Sequence, residues 1–444
     1  MRVGAATILV NNELGTPIQG ASVNQVVNSI RDNLEANAVY IEAGDERLVL
    51  ISVDVVALDR FVIDNAQKQI AERLGLDPHS TLACCTHTHS GPSVLHTSAS
   101  KEPDRAYLER IAGWFADVAV VAAEGAVEAT WRIGQGAAAI GYNRRCCWAD
   151  GTHTMHTHGH DPHSDEFLGI EGPADPRHTA LLAEDDQGKP LAVIHANSAH
   201  PTLFYGRDFL SADYPGEARQ LVRNTLGNIP VLYLNGPFGD IGPTSPIRSG
   251  PAGEQRAREM GAIVAGETLR LFHNAEPQHE LTLAQAHEER TVTLRIPSED
   301  ELAAAAELIK KWEAGEKVDN WALMYAHGKT ILADRYGDDP REPMHVHAVR
   351  LGNVGLFTHP CELFTQFALD LKARSPFDIT MVADCTNGFN GYCPTYGAYL
   401  GGGYSADTLY ASRVAPDTGY RLVDTGVQLL RNVDRKGDLE PAAV

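Results

Sequence analysis

Apolar and polar positions alternate along this chain in short blocks rather than in one long period. The opening stretch, Met1 to Val10, reads as a first strand, because no sustained apolar run is followed there by a small-residue cleavage site. Ala38–Ala43 and Leu48–Val53 flank the turn pair Gly44-Asp45, which predicts a hairpin. A helix is expected from Phe61 to Leu74, ended by Gly75, and the apolar Ser80–Cys85 behind it has the length of a buried strand. Arg105–Ala129 is the longest helical pattern, and Leu182–Asn197 reads as a second hairpin over Asp185-Asp186-Gln187-Gly188.

Asp213 and Pro215 sit where a cap and a first-turn proline would open a helix to about Leu226, with a strand at Ile229–Leu234 after it. Gly253–Phe272 and Glu299–Ala314 are expected helices. The second is opened by Ser298 and Glu301, a capping box in which each side chain satisfies an amide at the helix start. Strands at His345–Leu351, Val354–Thr358 and Ile379–Ala383 bracket a helix at Glu362–Lys372. This alternation gives an α/β fold class, layered mixed β-sheets with surrounding helices. No repeat, low-complexity linker or compositional break divides the chain, so residues 1–444 are expected to form a single catalytic domain.

Charge narrows the function. The 58 acidic and 37 basic residues leave a formal charge of −21. Such a surface repels phosphate backbones and anionic membranes, which argues against nucleic-acid or membrane partners and for a small-molecule substrate. The seven cysteines contain no C-x-x-C pair and are odd in number, so neither a zinc ribbon nor a disulfide scaffold is expected. Reduced thiols in the cytoplasm are the plain reading. Histidine is different, with 19 residues, many of them clustered.

The sharpest cluster is Thr86-His87-Thr88-His89-Ser90-Gly91-Pro92, directly after an apolar strand. Two histidines two positions apart both point into one cleft where the pleat breaks, and imidazole is a preferred zinc ligand; otherwise they cap strand-end carbonyls. Ser198-Ala199-His200-Pro201-Thr202 ends another apolar strand in the same way. Asn235-Gly236-Pro237-Phe238-Gly239-Asp240-Ile241-Gly242-Pro243 is either a tight loop only or one that leaves amides free for an oxyanion. In Phe357-Thr358-His359-Pro360-Cys361-Glu362 the acid serves as a metal ligand or as the negative charge a helix N-terminus favours. Tyr392, Tyr396, Tyr399 and Tyr404 lie on a glycine-rich stretch, as packing groups or as ligands and acids. The run His153, His156, His158, His160 and His163 looks like a metal trap, but its Gly, Pro and Asp content predicts a long flexible loop facing solvent or substrate.

In this order the motifs resemble the catalytic domain of the neutral/alkaline, non-lysosomal ceramidases, a family of zinc amidases. The likeness begins near Val3 and runs nearly to the C-terminus, through Thr86–Pro92, Asn143-Arg144-Arg145, Ser198–Thr202, Gly239-Asp240, Pro360–Glu362 and Gly391–Thr395. It implies one Zn2+ per chain held by His87, His200, Glu362 and Tyr392. It also implies His89 as a pocket residue that relays a proton, Arg144 as the active-site arginine, and Tyr404, twelve positions beyond Tyr392, as the second active-site tyrosine. Where the family has a serine at the reaction centre, this chain has Gly242. The expected activity is therefore zinc-dependent cleavage of an amide C–N bond by metal-activated water, without an acyl-enzyme, on a small polar substrate rather than ceramide. An ester or lactone hydrolase, or a zinc-dependent lyase or isomerase acting on a polar carbonyl or sugar-like substrate, is the alternative. Neither the leader nor the C-terminal immunoglobulin-like domain of the secreted ceramidases is expected.

Overall fold

The computed structural model describes residues 1–19, 25–96, 103–157, 160–279 and 281–438. Two sheets stacked face to face form its centre. The larger has eight strands in the order Val231–Asn235, Pro190–Asn197, Arg177–Asp185, Val127–Ala137, Arg2–Leu9, Glu35–Ala43, Glu46–Val53 and Thr81–Cys85. The smaller has four, in the order Leu283–Thr293, Arg341–Leu351, Val354–Thr358 and Ile379–Ala383. Neighbours run antiparallel except in three pairs: Glu46–Val53 with Thr81–Cys85, Pro190–Asn197 with Val231–Asn235, and Val354–Thr358 with Ile379–Ala383.

The apolar layer between the sheets takes Val39, Ile41, Leu50, Leu82, Trp131, Leu181 and Ile194 from one, and Leu283, Val349, Leu356 and Met381 from the other. The alternate positions face outward onto helices. Ala36, Ala38, Val49 and Ile51 pack against Arg60–Leu74 and Arg105–Glu124. Ala180, Leu182 and Val193 meet Asp213–Leu226 and Gly253–Asn274. On the smaller sheet, Val346, Ala348 and Phe357 meet Thr365–Arg374 and Thr418–Asp438. Strands covered on both faces need apolar residues at successive positions, which is why these segments read as continuous apolar runs. Truncating one such residue, Leu50→Ala, costs about 2–5 kcal/mol. Among the described residues no helix is long and apolar enough to cross a membrane.

Local signals locate most elements. Gly44 turns the first hairpin at φ +60°, and Gly75 ends its helix at φ +64° with its amide on Ala71 O. Both halves of the Ser298–Glu301 capping box are formed. The departures have local causes too. The helix expected over Arg105–Ala129 stops at Glu124, where the Gly125 amide closes onto Val121 O, and Val127 starts an eleven-residue strand drawn into the sheet by Arg177–Asp185. Asp213 is not the cap: Ala212 is, and Asp213 stands at φ +57° with its carboxylate on the amides of Leu203 and Tyr214. The helix expected from Glu362 begins at Thr365, because Cys361–Leu363 is a short strand paired in parallel with Gly391–Cys393. Leu283–Thr293, Asn320–Tyr336 and Thr418–Asp438 are further elements. The last carries Leu422, Val423, Val427, Leu430 and Val433 at helical spacing on its buried side.

The larger sheet curls until its two edges meet. Ser52 Oγ donates to Tyr233 O at 2.7 Å, and Asn235 Nδ2 donates to Thr86 O at 3.1 Å. The smaller sheet joins the same place, with the Asp384 amide on Asn235 O at 3.0 Å. Strand ends distant in sheet order therefore open onto one point.

Candidate metal centre

The strand Thr81–Cys85 continues for two residues as the amides of Thr86 and His87 bond to Val53 O and Val55 O. His87 then adopts φ +72°, a conformation disfavoured for a residue with a Cβ and sustained only where the surroundings hold it. The chain leaves the strand there, and the rings of His87 and His89 meet edge-on with centroids 5.0 Å apart.

His87 Nδ1 lies 2.6 Å from Val56 O. A carbonyl only accepts, so Nδ1 carries the proton and Nε2 keeps its lone pair. His200 is fixed in the same way: its amide bonds to Ile241 O, and its Nδ1 lies 2.8 Å from Phe238 O and 3.1 Å from Ile241 O. Its Nε2 also presents a lone pair.

Glu362 and Tyr392 are brought in by the parallel pair Cys361–Leu363 and Gly391–Cys393, in which they are register partners and project to one side. Glu362 Oε2 lies 3.0 Å from His200 Nε2 and 3.5 Å from His87 Nε2. The Tyr392 hydroxyl is 3.3 Å from His200 Nε2. Arg144 completes the set. Its Nη2 donates to Gly239 O at 2.9 Å and to Tyr392 Oη at 3.1 Å, and lies 3.2 Å from His200 Nε2. All five side chains are buried, none more than 4% exposed.

The Gly236–Pro243 loop braces this arrangement instead of offering free amides. The amides of Gly236, Gly239 and Ile241 are spent on Asn197 O, Leu363 O and Phe238 O, and that of Phe238 on Asp384 Oδ2. Asp240 accepts from Asn143 Nδ2 at 2.7 Å and from the amide and hydroxyl of Thr365 at 2.8 Å, while its carbonyl takes the Arg144 amide. Asp384 Oδ2 also accepts the Leu363 amide at 2.8 Å, and its Oδ1 lies 3.2 Å from His359 Nε2. A Cβ at position 239 would lie 2.5 Å from Glu362 O, so glycine is what permits the loop to approach.

Burial dominates the electrostatics. It keeps His87 and His200 neutral, with pKa values well below the ordinary imidazole value; neighbouring His89 adds to this at His87 and Arg144 at His200. Burial and then Arg144 lower His89 to about 3. Burial raises Glu362 to about 8 against the pull of Arg144. The Tyr392 hydroxyl is pushed up by burial and by Glu362, and the same causes raise Tyr404 to about 12. Two neutral imidazole lone pairs thus face the Glu362 carboxyl, which at its raised pKa holds a proton at neutral pH unless a cation takes that proton's place. A divalent cation satisfies all of them at once, and this donor set fits zinc.

His89 is half-buried beside them, and His87, His89 and His200 each offer a ring nitrogen within 4.8 Å of the others. Unlike its two neighbours, it has no hydrogen-bond partner at either nitrogen. Tyr404 stacks edge-on to Tyr392 at 5.5 Å between centroids. Its far side meets Trp321 at 5.5 Å and Tyr325 at 6.5 Å, and Tyr205 approaches His89 at 6.0 Å. These three aromatic residues were not singled out from the sequence; they sit on elements that carry no motif. Tyr205 and Trp321, 53% and 41% exposed, mark the side open to solvent.

The histidine-rich run is not a free loop. His153–Met155 is a strand paired with Arg145–Trp148, His153 Nδ1 lies 2.6 Å from Glu171 Oε2, and His160 stacks on Trp148. His158 lies outside the described residues. The His156 amide bonds to Arg144 O at 2.6 Å. A Cβ at Gly242 would lie 3.4 Å from Arg144 and 3.7 Å from His156, so the missing side chain leaves space between them.

No family model matches the chain, and no curated protein does. Among solved structures it is similar to neutral ceramidase from Pseudomonas aeruginosa, with a TM-score of 0.75 and 16% identity over 100% of this chain and 76% of that one. A ceramidase complexed with C2 gives a TM-score of 0.73 and 17% identity over the same shares. The chain has the neutral ceramidase fold, as its motifs led one to expect.

Proposed function

We propose that this chain is a zinc-dependent hydrolase that cleaves the amide C–N bond of a small polar substrate. His87, His200, Glu362 and Tyr392 would hold the ion. One observation carries the reading: His87 Nε2 and His200 Nε2, both made acceptors by carbonyls behind them, face the Glu362 carboxylate at 3.5 and 3.0 Å. When bound, zinc supplies Lewis acidity, polarising a carbonyl and lowering the pKa of water toward about 7.

The chain's own residues do the rest. Arg144 is anchored through Nη2, while its Nε is buried without a partner and is free to donate to a developing oxyanion. Tyr404, with its pKa raised to about 12, stays protonated at neutral pH and is a second donor. His89 is neutral and unbonded at both ring nitrogens, so it can accept a proton at one and hand one to the leaving nitrogen. Gly242 supplies no hydroxyl nucleophile, so water adds directly. Polar groups at the centre (His89, Arg144, Tyr404) and the charge of −21 favour a water-soluble substrate over a lipid.

The test is turnover on water-soluble N-acyl compounds, on esters and lactones, and on ceramide in detergent, with products weighed by mass spectrometry. Amide hydrolysis adds one water to the mass balance. Cleavage of ceramide alone would overturn the polar-substrate reading, preference for esters would move the activity to that class, and a product of unchanged mass would make the chain an isomerase.

A further inference from the structure

A second group of histidines lies far along the sheets from the centre just described. His287 and His347 are direct register partners on the antiparallel strands Leu283–Thr293 and Arg341–Leu351, so their side chains leave the same face. His79 comes from the opposite sheet, on the turn Pro78–Ser80 that leads into Thr81–Cys85. Its ring stacks on His287 at 3.8 Å and lies 6.3 Å from His347. Each of the three offers one ring nitrogen within 4.8 Å of the others.

We propose that His79, His287 and His347 form a second site for a divalent transition metal of the zinc, nickel or copper type, clipping the smaller sheet to the edge of the larger one. The independent observation is at His347. It is 3% exposed, yet neither ring nitrogen has a hydrogen-bond partner, and the buried Nδ1 of His79 has none either. A buried polar atom left unsatisfied is costly, and one cation shared by a nitrogen from each ring would give His79 and His347 a partner that the protein does not supply.

The surroundings suit an ion. The trio lines a cavity of about 440 Å³ together with Glu46 and Asp77, whose carboxylates attract a cation. His345 Nδ1 lies 3.2 Å from His287 Nε2, and His345 Nε2 lies 3.7 Å from Glu289, so imidazole and carboxylate continue outward as the orienting groups of metal-bound histidines do. Gln285 on the same face already bridges the sheets, donating to Glu46 Oε2 at 3.1 Å and Arg47 O at 2.9 Å. Imidazole ligands select late first-row metals over calcium and magnesium.

Zinc content of the full chain, metal-stripped and then reloaded with Zn2+ and desalted, tests the assignment. Two ions per chain are expected. His79→Ala and His287→Ala should each lose one, and His200→Ala should lose the other. His79 stands on a turn outside the strands, so its variant keeps the fold, which circular dichroism checks. Added Zn2+ should raise the melting temperature of His200→Ala but not that of His79→Ala/His200→Ala, and His345→Ala should weaken zinc binding at this site by roughly 10–100-fold. Folded His79→Ala and His287→Ala proteins with the parent's zinc content would overturn the proposal, whatever His200→Ala does. Loss with His287→Ala but not with His200→Ala would leave it standing and remove the catalytic zinc instead.

Discussion

Glu362 and His200 are separated by 162 residues of chain and by 3.0 Å between Oε2 and Nε2. The imidazole is an acceptor there, with Arg144 Nη2 at 3.2 Å and the Tyr392 hydroxyl at 3.3 Å as the neighbouring donors, and a cation held jointly by imidazole and carboxylate would take the place of these contacts. Glu362→Ala and His200→Ala are therefore expected to lose zinc from this centre entirely. Measured by atomic spectroscopy in a His287→Ala background, each should fall from one ion per chain to none; full occupancy in both would remove this ligand set.

The two histidines of the Thr86–Pro92 motif should separate on substitution. His87 Nδ1 is held by Val56 O, the outer hydrogen bond that orients a ligating ring, whereas His89 has no such bond. His87→Ala should lose metal and turnover together. His89→Ala should keep its metal and lose kcat by about 10²–10⁴, the range of a general acid-base group. Loss of zinc with His89→Ala, and retention with His87→Ala, would exchange the two roles.

Glycines 239 and 242 lie on one loop with opposite tolerances. At Gly242 a Cβ meets nothing nearer than 3.4 Å, so Gly242→Ser should melt within a few degrees of the parent and still bind zinc. At Gly239 a Cβ would sit 2.5 Å from the Glu362 carbonyl, and Gly239→Ala must displace the strand that carries Glu362, a proposed ligand. A lower melting temperature with lost metal is the expected result. Equal stability and zinc content in both variants would contradict the packing.

Lys372 and Asp175 form a buried pair, 2.8 Å apart with side chains 9% and 2% exposed. Burial opposes the charged form of Asp175, but Lys372 and Arg177 outweigh it and hold the carboxyl below its ordinary value. A carboxyl with a depressed folded pKa contributes stability that is present above its unfolded value of about 3.9 and is lost as pH falls through the folded value. Asp175→Asn should cost about 3–5 kcal/mol at pH 7, because it strands a buried ammonium. In urea titrations the gap between parent and variant should be level down to about pH 5 and shrink below about pH 4. A gap unchanged at pH 3 would show that Asp175 does not act through its charge.

Turns, caps and strand ends were legible because short-range forces set them. Gly44 and Gly75 adopt left-handed conformations that glycine takes without strain, and Ser298 and Glu301 satisfy each other's amides within one turn. The position of the histidine motifs could be read for the same reason, since a polar residue at the end of an apolar run is a local pattern. Strand order and register were not legible. A strand buried on both faces has no preferred side in its sequence, so nothing in it says that Thr86 O will meet Asn235 or that Glu362 will pair with Tyr392. The stretch past Glu124 illustrates the limit: Ala126, Val127 and Ala129 let the helical pattern run on, and pairing with Arg177–Asp185 decided for the strand. His79, His287 and His347 are unremarkable residues on three separate segments, and Tyr205 and Trp321 sit in segments without a motif. Only the stacking of two sheets and the curl of the larger one bring such side chains together, since those contacts arise from packing energy summed over the whole core, which no local window of sequence contains.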